Sequence, residues 1–354
     1  MEEMYYQRAK EKFEKLRTKE TVRILSIESS CDETSVAIVE NGRKILANII
    51  ASQIDIHTRF GGVVPEIASR NHVTAISNLY RQALETANLK SSQIDAVAVT
   101  YGAGLVGALL VGVNFAKSLA FSLDVPLIAV SHIKGHIAAN YLTYENLEPP
   151  FVCLMVSGGH TAILNIPSYN AHELVGTTVD DAAGEAFDKV ARVVGLGYPG
   201  GPKVDKAAKD GKETIKFVSH SPMQNSLNFS FSGLKTAVIN YVHKLTQKGE
   251  EINVADVCAS FQKEVTNELV GKTILACEKL NANKLVVAGG VSANSKLKET
   301  LKTETEKRNI QLFMPELVLC TDNAAMIGSA AYYLMKDGLG LSDLSLTAKA
   351  TVSL

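Results

Sequence analysis

The stretch VRILSIESSCDETSVAIVENGR, residues 22–43, decides the fold of this chain. A short apolar run is followed by the polar segment CDETS, and a second apolar run ends in an Asn-Gly pair that favours a tight turn. The same order returns in PFVCLMVSGGHTAILNIPS, residues 150–168, which follows the proline pair Pro149-Pro150. Prolines in succession interrupt regular structure and mark a boundary. The sequence therefore predicts two similar halves, each beginning with a strand, a polar turn and a strand.

A second repeated pattern strengthens this prediction. Residues 94–123, IDAVAVTYGAGLVGALLVGVNFAKSLAFSL, and residues 282–304, ANKLVVAGGVSANSKLKETLKTE, both indicate a strand, a glycine-rich turn and a helix. The second half also holds extra chain around residues 165–235, and long insertions with little hydrophobic periodicity are often functional. The predicted fold class is α/β with two duplicated lobes around a central cleft. Ligands prefer such clefts, and the turns would offer backbone N–H groups to phosphates.

The predicted boundaries divide the chain into four parts. An N-terminal extension covers residues 1–21, the first lobe 22–150, the second lobe 151–340 and a C-terminal tail 341–354. The extension is charged throughout, so we expect a solvated helix or a loose segment there.

The composition is that of an ordinary soluble globular protein: of 354 residues, 46% are hydrophobic and 21% are charged, and the net charge is −1. This balance neither indicates nor excludes a nucleic-acid partner, because a basic patch can be local. The five cysteines include no CxxC pair, so we expect neither a disulfide framework nor a cysteine-rich zinc site, and we predict a reducing, cytoplasmic compartment. The N-terminus lacks the apolar core of a secretory signal, and we find no apolar run of about 18 residues that would predict a membrane span.

The segment SHIKGHIAAN places His132 and His136 four residues apart. On a helix their Cβ atoms would be about 6 Å apart, and both rings could reach one metal ion at about 2.1 Å. The spacing matches the zinc-peptidase signature H-E-x-x-H, but Ile133 stands where that signature has its catalytic glutamate. Asp322, in the segment CTDNAAMIG, is a candidate third ligand. Two histidines and one carboxylate suit iron(II) or zinc with open coordination positions.

Asp32 and Glu33 lie in the polar turn of the first hairpin. Acidic residues are common in turns for purely structural reasons. A carboxylate that faces a metal and phosphates could instead act as a general base or orient a reactant. The residues alone leave both interpretations open.

Several other segments contain residues that either shape the backbone or bind a ligand. GAGLVG (Gly102–Gly107) formally matches the dinucleotide motif G-x-G-x-x-G, but a hairpin precedes it, so close packing of a helix on a strand is favoured. Asn294 would cap a helix or reach a ligand. Asp188 would complement a helix dipole or accept hydrogen bonds from a ligand. The proline-containing segment GYPGGPKVD predicts a shaped loop, with Gly201 offering its backbone and Asp205 at the far end.

Seven motifs, in this order along the chain, resemble those of the tRNA N6-adenosine threonylcarbamoyltransferase family. They are IESSCDETS, HIKGHIAAN, VSGGHT, GEAFDKVARVVGLGYPGGP, FSFSGLKTA, VAGGVSAN and CTDNAAMIG. The resemblance covers residues 22–340, and FGGVVPEIASRNH resembles the bacterial branch of the family. It implies the actin-like, Hsp70-like ATPase fold, with two duplicated lobes around a nucleotide cleft.

The resemblance also implies an activity. The family moves a threonylcarbamoyl group from threonylcarbamoyl-AMP to N6 of the adenosine 3′-adjacent to the anticodon, in tRNAs that read codons beginning with A. His132, His136 and Asp322 would bind the metal, for which iron(II) is the family's usual identity and zinc the alternative. The adenylate, or ATP or AMP in the same cleft, would be held by Met155, Val156, Ser157, Gly158, Gly159, Asp188, Gly201, Asp205 and Asn294.

The chemistry of such a transfer fits these residues. The carbon of a mixed anhydride with AMP is already activated, so positioning and charge stabilisation suffice without a covalent nucleophile. Glu33, or Asp32, would then take the proton of the adenine amine. The family resemblance further implies tRNA, a smaller inactive paralogue of the same fold and a P-loop ATPase as partners, and no membrane.

Three other functions remain open at this point. An actin-like ATPase or small-molecule kinase would share the fold, but phosphoryl transfer prefers Mg²⁺ and carboxylates to a site with two histidines. A metallopeptidase would need the glutamate that Ile133 replaces. A scaffold that binds nucleotide without catalysis is the third.

Overall fold

The computed structural model describes residues 2–217 and 226–352. The chain divides into two compact units: Met1–Glu148 with Pro315–Leu354 form unit 1, and Pro149–Met314 form unit 2. Each unit has its own sheet and its own hydrophobic core.

Twelve α-helices, two short 3₁₀ helices (Ser91–Gln93 and Gly290–Ala293) and eleven strands lie within the described residues. Unit 1 begins with α1 (Glu2–Leu16), β1 (Arg23–Glu28), β2 (Glu33–Glu40), β3 (Lys44–Ser52), α2 (Ile54–Thr58), α3 (Pro65–Ala87), β4 (Ala96–Gly102), α4 (Val106–Leu123), β5 (Leu127–Ser131) and α5 (His132–Thr143). Unit 2 contains β6 (Phe151–Val156), β7 (Thr161–Ile166), β8 (Glu173–Thr177), α6 (Ala183–Val193), α7 (Gly200–Ala208), α8 (Ser232–Lys248), α9 (Val254–Lys279), β9 (Lys284–Ala288), α10 (Ser295–Glu306) and β10 (Gln311–Phe313). The chain completes unit 1 with α11 (Leu317–Cys320), α12 (Ala324–Lys336) and β11 (Leu341–Ser342).

The two sheets have the same strand order, which confirms the predicted duplication. The order is β11-β5-β4-β1-β2-β3 in unit 1 and β10-β9-β6-β7-β8 in unit 2. In each unit the first three strands are antiparallel neighbours, the first strand pairs in parallel with the fourth, and the fourth pairs in parallel with the fifth. Strand β11 adds an antiparallel edge to unit 1 alone. The α/β fold class with two duplicated halves is therefore confirmed.

The hairpin of β1 and β2 and the turn after β2 form where the sequence predicted them. Asn41 and Gly42 have φ values of 52° and 70°, a left-handed conformation that asparagine tolerates and glycine adopts without steric cost. Strand β1 is buried from Ile24 to Glu28, as expected of a strand covered on both faces. Glu28 is the one charged side chain in this buried run.

The boundary near the C-terminus differs from the prediction. The second lobe was expected to continue to residue 340, but α11 and α12 belong to unit 1. The reason is the packing of α12, whose first turn hydrogen-bonds to the central strands: Ser26 Oγ donates to Ala324 O at 2.6 Å, and Ala324 N donates to Ser35 Oγ at 2.9 Å. Unit 2 thus ends at Met314, and the chain returns to the sheet where it began.

The N-terminal extension is a docked helix rather than a loose segment. The buried face of α1 consists of Tyr5, Ala9, Phe13 and Leu16, whose spacing of three or four residues places them on one side of a helix. The hydroxyl of Tyr5 donates to the carbonyl oxygen of Val125 at 2.8 Å. The apolar stripe therefore holds this charged segment against unit 1.

Helix α4 is long and apolar enough to cross a membrane by the measures of length and hydropathy, which the sequence reading did not anticipate. Its buried residues, among them Ala108, Leu109 and Val113, lie on one face. That face packs on β4 and α3 within unit 1. This packing is that of a core helix in an α/β unit.

The described part of the extra chain in the second half contains β8, α6, α7 and the start of α8. Of the predicted insertion 165–235, residues 218–225 lie outside the described residues, as do residue 1 of the extension and residues 353–354 of the tail. The prediction of a loop for GYPGGPKVD is wrong for the second part of this segment, which is helical from Gly200, where α7 begins. A proline in the first turn of a helix removes no intrahelical hydrogen bond, since the first four N–H groups have no partner there.

Candidate functional site

Helix α5 carries both histidines and is held at its two ends. It starts directly after β5, so His132 lies in the first turn and His136 in the second. A Cβ atom at Gly135 would lie 2.6 Å from Ile327 Cδ1, which shows how closely α5 and α12 approach. At the other end the Arg43 guanidinium donates to the carbonyl oxygen of Tyr144 at 2.8 Å. Close packing and capping together fix the orientation of this helix.

His132, His136 and Asp322 lie close together, as the sequence predicted for a metal site, and all three belong to unit 1. Their ligand atoms lie within 4.8 Å of one another. Asp322 Oδ1 is 3.4 Å from His132 Nε2 and 3.3 Å from His136 Nε2. Two atoms that each bind one ion at about 2.1 Å are separated by about 3.0–3.4 Å. The donor set and its spacing therefore fit a divalent transition metal.

The position of Asp322 corrects one expectation. The sequence placed this residue in the second lobe, opposite the histidines, whereas it lies between α11 and α12 in the same compact unit. Asn323 caps α12 by accepting a hydrogen bond from Met326 N at 3.0 Å. The carboxylate is thus held by the start of the helix that packs against α5.

Glu28 is a further residue of this site that sequence reasoning missed. Its Oε2 atom is 3.2 Å from His132 Nδ1 and accepts a hydrogen bond from Thr100 Oγ1 at 2.5 Å. Its Oε1 atom accepts from Ser30 N at 2.6 Å. The available signal was a glutamate at the end of a largely apolar run in β1, since buried carboxylates are rare unless they are paired.

The charges of the site balance one another. Burial lowers the pKa of His132, but Asp322 and Glu28 outweigh this effect and raise it well above the usual value. Burial raises the pKa of Asp322, but the charge and hydrogen bonds of the histidines outweigh it and hold this pKa far below its usual range. The pKa of Glu28 is likewise lowered, because the charge of His132 outweighs burial. Two carboxylates are therefore ionised, and they supply the negative charge that a divalent cation needs.

The turn with Asp32 and Glu33 lies near this triad. Burial, followed by the negative charges of Asp322 and Asp32, raises the pKa of Glu33 to about 9. Ser52 Oγ donates to Glu33 Oε1 at 3.0 Å. A pKa of about 9 favours the protonated form of Glu33 at neutral pH, whereas a general base must be ionised. A cation held by the triad would favour the ionised form.

The His72 side chain and the backbone N–H of Gln53 fix the backbone of this turn. His72, which is fully buried, is 3.0 Å from the carbonyl oxygen of Cys31 through Nε2 and 2.7 Å from Thr34 Oγ1 through Nδ1. Because a carbonyl oxygen only accepts, Nε2 carries the proton. The backbone N–H of Gln53 donates to the carbonyl oxygen of Asp32 at 2.9 Å.

The predicted substrate residues Met155–Gly159 lie at the end of β6 in unit 2. The side chain of Met155 is fully buried inside the sheet, so only its backbone could meet a ligand. Ser157 N donates to His160 O at 2.8 Å and closes a tight turn. Cβ atoms at Gly158 and Gly159 would face open space. A Cβ atom at Gly184 would lie 2.6 Å from Ser157 O, so the first turn of α6 packs directly against this turn.

The other predicted substrate residues lie on α6, on α7 and before α10. Asp188 Oδ1 accepts a hydrogen bond from Gly200 N at 2.7 Å, next to Gly201. Asp205 Oδ1 accepts from Ser295 Oγ at 2.7 Å, next to Asn294. The structure therefore brings these residues together in pairs.

Asn294 acts as a helix cap, one of its two expected roles. Its Oδ1 atom accepts from Leu297 N at 3.0 Å, and its Nδ2 donates to Gln262 Oε1 at 3.0 Å.

The glycine turn of unit 1 is a packing element. A Cβ atom at Gly104 would lie 2.6 Å from Ser30 O. The N–H of Gly104 donates to Ala350 O at 3.1 Å, and that of Leu105 donates to Ser30 O at 2.8 Å. These amides are therefore engaged within the protein, which favours the packing interpretation of GAGLVG.

Two aspartates connect two motifs within the insertion. Asp180 accepts from Phe231 N at 2.8 Å. Asp181 pairs with Lys235 at 2.5 Å and with Lys189 at 3.0 Å. Burial raises the pKa of Asp181, but the two lysines outweigh it and hold this pKa below its usual value. The segments DDAAGEAF and FSFSGLK are thus joined by charge-assisted hydrogen bonds.

The comparison with known families decides the classification. The model of the tRNA N6-adenosine threonylcarbamoyltransferase family matches residues 44–329 of this chain. The chain belongs to this family. A threonylcarbamoyltransferase of this name from Clostridium perfringens is 58% identical over 332 residues, which cover 94% of this chain and 98% of the relative. Another from Clostridium botulinum is 60% identical over 316 residues, which cover 89% and 93%.

Solved structures of other proteins share the fold at low sequence identity. Full-length HypF in its phosphate- and nucleotide-bound form has a TM-score of 0.60 at 16% identity. The match covers 89% of this chain and 55% of the HypF chain. The activator of the 2-hydroxyisocaproyl-CoA dehydratase from Clostridium difficile with bound ADPNP has a TM-score of 0.51 at 14% identity, with 90% of this chain and 97% of that chain covered. These likenesses bear on the fold alone and agree with the α/β duplication of the threonylcarbamoyltransferase family.

Proposed function

We propose that this protein transfers a threonylcarbamoyl group to N6 of the adenosine 3′-adjacent to the anticodon, in tRNAs that read codons beginning with A. The observation that carries the proposal is family membership over residues 44–329 together with the convergence of His132, His136 and Asp322. An ATPase or kinase of the same fold is not favoured, because it gives no role to the two histidines. A metallopeptidase is not favoured, because Ile133 follows His132.

The donor in this proposal is threonylcarbamoyl-AMP, bound by unit 2. The open turn at Gly158 and Gly159 supports this assignment, because backbone N–H groups without side chains suit a phosphate. Asp188 lies on α6, Asp205 on α7 and Asn294 directly before α10, and α6 packs against α7. In this proposal the three side chains orient the ribose or the adenine. ATP or AMP would occupy the same residues.

The metal in this proposal is iron(II), with zinc as the alternative, held by the triad of unit 1. When bound, it would act as a Lewis acid and template for the oxygens of the threonylcarbamoyl group. The protein's own residues then position the acceptor and handle the proton of the adenine amine. Glu33, with Asp32 beside it, is the candidate for that proton transfer. Burial and the neighbouring carboxylates raise the pKa of Glu33, and strongly shifted pKa values are typical of groups that transfer protons.

The proposed partners and compartment follow from the family. We place the protein in the cytoplasm, with tRNA as the acceptor. A smaller inactive paralogue of the same fold and a P-loop ATPase would assist it. The chain's net charge of −1 supports the need for partners in tRNA binding.

A direct transfer assay tests the proposed function. Purified chain, loaded with iron(II) or zinc, is mixed with fresh threonylcarbamoyl-AMP and unmodified tRNA, with and without the two partner proteins. Digested tRNA is analysed by mass spectrometry for threonylcarbamoyladenosine. The control tRNA carries guanosine in place of the target adenosine, since guanosine lacks the N6 amine. A chain that transfers nothing in either arm but hydrolyses ATP in a separate incubation would instead be an ATPase.

A further inference from the structure

We infer that Glu28 is a positioning residue that fixes the tautomer and the orientation of His132, so that Nε2 is free to bind the metal. The inference rests on the metal site of the proposed function and deepens it. It concerns a side chain that touches neither substrate nor metal and acts through the histidine.

The hydrogen-bond pattern around Glu28 carries this inference. A carboxylate only accepts hydrogen bonds, so the contact of 3.2 Å between Glu28 Oε2 and His132 Nδ1 requires the proton on Nδ1. Ser30 Oγ lies 3.2 Å from the same nitrogen and can share that proton. The other ring nitrogen, Nε2, then faces Asp322 Oδ1 at 3.4 Å. A metal-binding histidine commonly donates its second ring N–H to a carboxylate in this way.

Glu28 is itself held in one orientation. Ser30 N donates to Oε1 at 2.6 Å, and Thr100 Oγ1 donates to Oε2 at 2.5 Å. The side chain is completely buried at the end of β1, and Thr100 belongs to β4, the parallel neighbour of β1. The strand pairing of the central sheet therefore determines the angle of the His132 ring.

The two histidines differ in whether Nδ1 has a hydrogen-bond partner. Nδ1 of His136 is buried and has no hydrogen-bond partner among the described residues. The tautomer of His136 is thus not set by a neighbouring acceptor, whereas that of His132 is. We expect the effect of Glu28 on metal binding to pass through His132 alone.

The substitution Glu28→Gln separates this role from simple packing. A glutamine has nearly the same shape, and its carbonyl oxygen must face Ser30 N, because an NH₂ group there would oppose another donor. Its NH₂ group would then donate toward His132 Nδ1 and drive the proton to Nε2, the atom that must bind the metal. The affinity for the metal should fall by about 10–100-fold.

The experiment titrates cobalt(II) and zinc(II) into the purified full chain. Cobalt(II) binding is followed by its d–d absorption, and zinc(II) binding by competition with a chromophoric chelator. The matched control is Ser29→Ala, which removes a neighbouring buried hydrogen bond, Ser29 Oγ to Ala108 O at 2.9 Å, without touching the site's histidines. Thermal unfolding of each metal-free variant measures any general loss of stability.

A weaker affinity in Glu28→Gln, with the affinity of Ser29→Ala unchanged, supports the inference. Equal affinities of Glu28→Gln and the unaltered chain would overturn it. If Glu28→Gln fails to fold, NMR of the unaltered zinc-loaded chain labelled with [¹⁵N]histidine still decides: a proton on Nε2 of His132 contradicts the inference.

Two further outcomes distinguish a failure of this inference from a failure of the proposed function. A chain that binds no metal at the triad overturns both this inference and the metal part of the proposal. A chain that binds metal normally but transfers nothing to tRNA overturns only the transferase proposal.

Discussion

Glu28 and Glu33 lie five residues apart in the first hairpin, yet their surroundings give them opposite properties. Glu28 accepts hydrogen bonds from three groups and lies against His132, which lowers its pKa despite burial. Burial, followed by the negative charges of Asp322 and Asp32, raises the pKa of Glu33 to about 9, although the Ser52 hydroxyl donates a hydrogen bond to it. The surroundings of Glu28 favour its ionised form, whereas those of Glu33 favour uptake of a proton.

At the residue scale, we predict that Glu33→Ala binds the adenylate donor normally but transfers the threonylcarbamoyl group at least about 100-fold more slowly. A positioned proton acceptor contributes about 10²–10⁴-fold to rate. Single-turnover transfer and equilibrium binding of AMP are the measurements. Glu33→Gln serves as the companion variant, because it keeps the shape but cannot take a proton. Full transfer activity in Glu33→Ala would remove Glu33 from the mechanism.

At the scale of elements, α5 is positioned by the hairpin of β2 and β3. Arg43 follows the hairpin turn and donates to the carbonyl oxygens of Tyr144 and Leu147, both at 2.8 Å, beyond the last turn of α5. Its guanidinium also lies over the ring of Tyr141, 5.5 Å from the centroid. A cation at a helix C-terminus complements the helix dipole. The end of α5 away from the histidines is thus tied to the sheet.

We predict that Arg43→Ala lowers the free energy of unfolding by about 2–4 kcal/mol, because it leaves two part-buried carbonyl groups without their charged donor. Arg43→Lys should recover only part of this loss, since an ammonium group cannot reproduce the planar fork. Urea denaturation measures both. The control is Arg81→Ala, an exposed residue 4.0 Å from Glu85, which should change stability by less than about 0.5 kcal/mol. A loss for Arg43→Ala no larger than that of the control would contradict the capping role.

The ion triple of Asp181 with Lys189 and Lys235 gives a prediction on pH. The pKa of Asp181 is lowered in the folded protein, so its contribution is present above the unfolded pKa of about 3.9 and is lost as pH falls through the lower folded value. At pH 7, Asp181→Asn should be less stable than the unaltered chain by about 1–3 kcal/mol. The difference should shrink steadily below about pH 4. Denaturation of both chains across this range is the measurement, and a difference that grows on acidification would show that the sign is wrong.

At the scale of the whole molecule, the candidate groups are divided between the two units. The metal triad, Glu28 and Glu33 belong to unit 1, and the predicted adenylate residues belong to unit 2. A metal that binds only the folded triad therefore stabilises unit 1 directly.

We predict that zinc(II) at about 100 times its dissociation constant stabilises the protein by about 2.7 kcal/mol. Hydrogen exchange should slow first in β1, α5 and α12, which surround the triad. Asp322→Ala should abolish both effects. Protection confined to the strands of unit 2 would mean that the ion binds elsewhere.

The sequence by itself determined the elements and their repetition. The hairpin of residues 22–43 and its counterpart at 150–168 could be predicted because hydrophobic runs, polar turns and an Asn-Gly pair are local signals. The pair His132 and His136 was equally local, since a spacing of four on a helix places both rings on one face. The family followed from motifs in a fixed order.

Only the tertiary structure decided which unit receives Asp322, how α1 docks, and what holds His132. Asp322 and Glu28 reach the histidines through contacts between residues more than 100 positions apart. Such contacts depend on how α12 packs on α5 and how β1 pairs with β4, and no local pattern records them. The loop expected at GYPGGP became the start of α7 because a proline costs little in the first turn of a helix. Local periodicity thus specified the pieces of this protein, while packing between distant segments assembled the site.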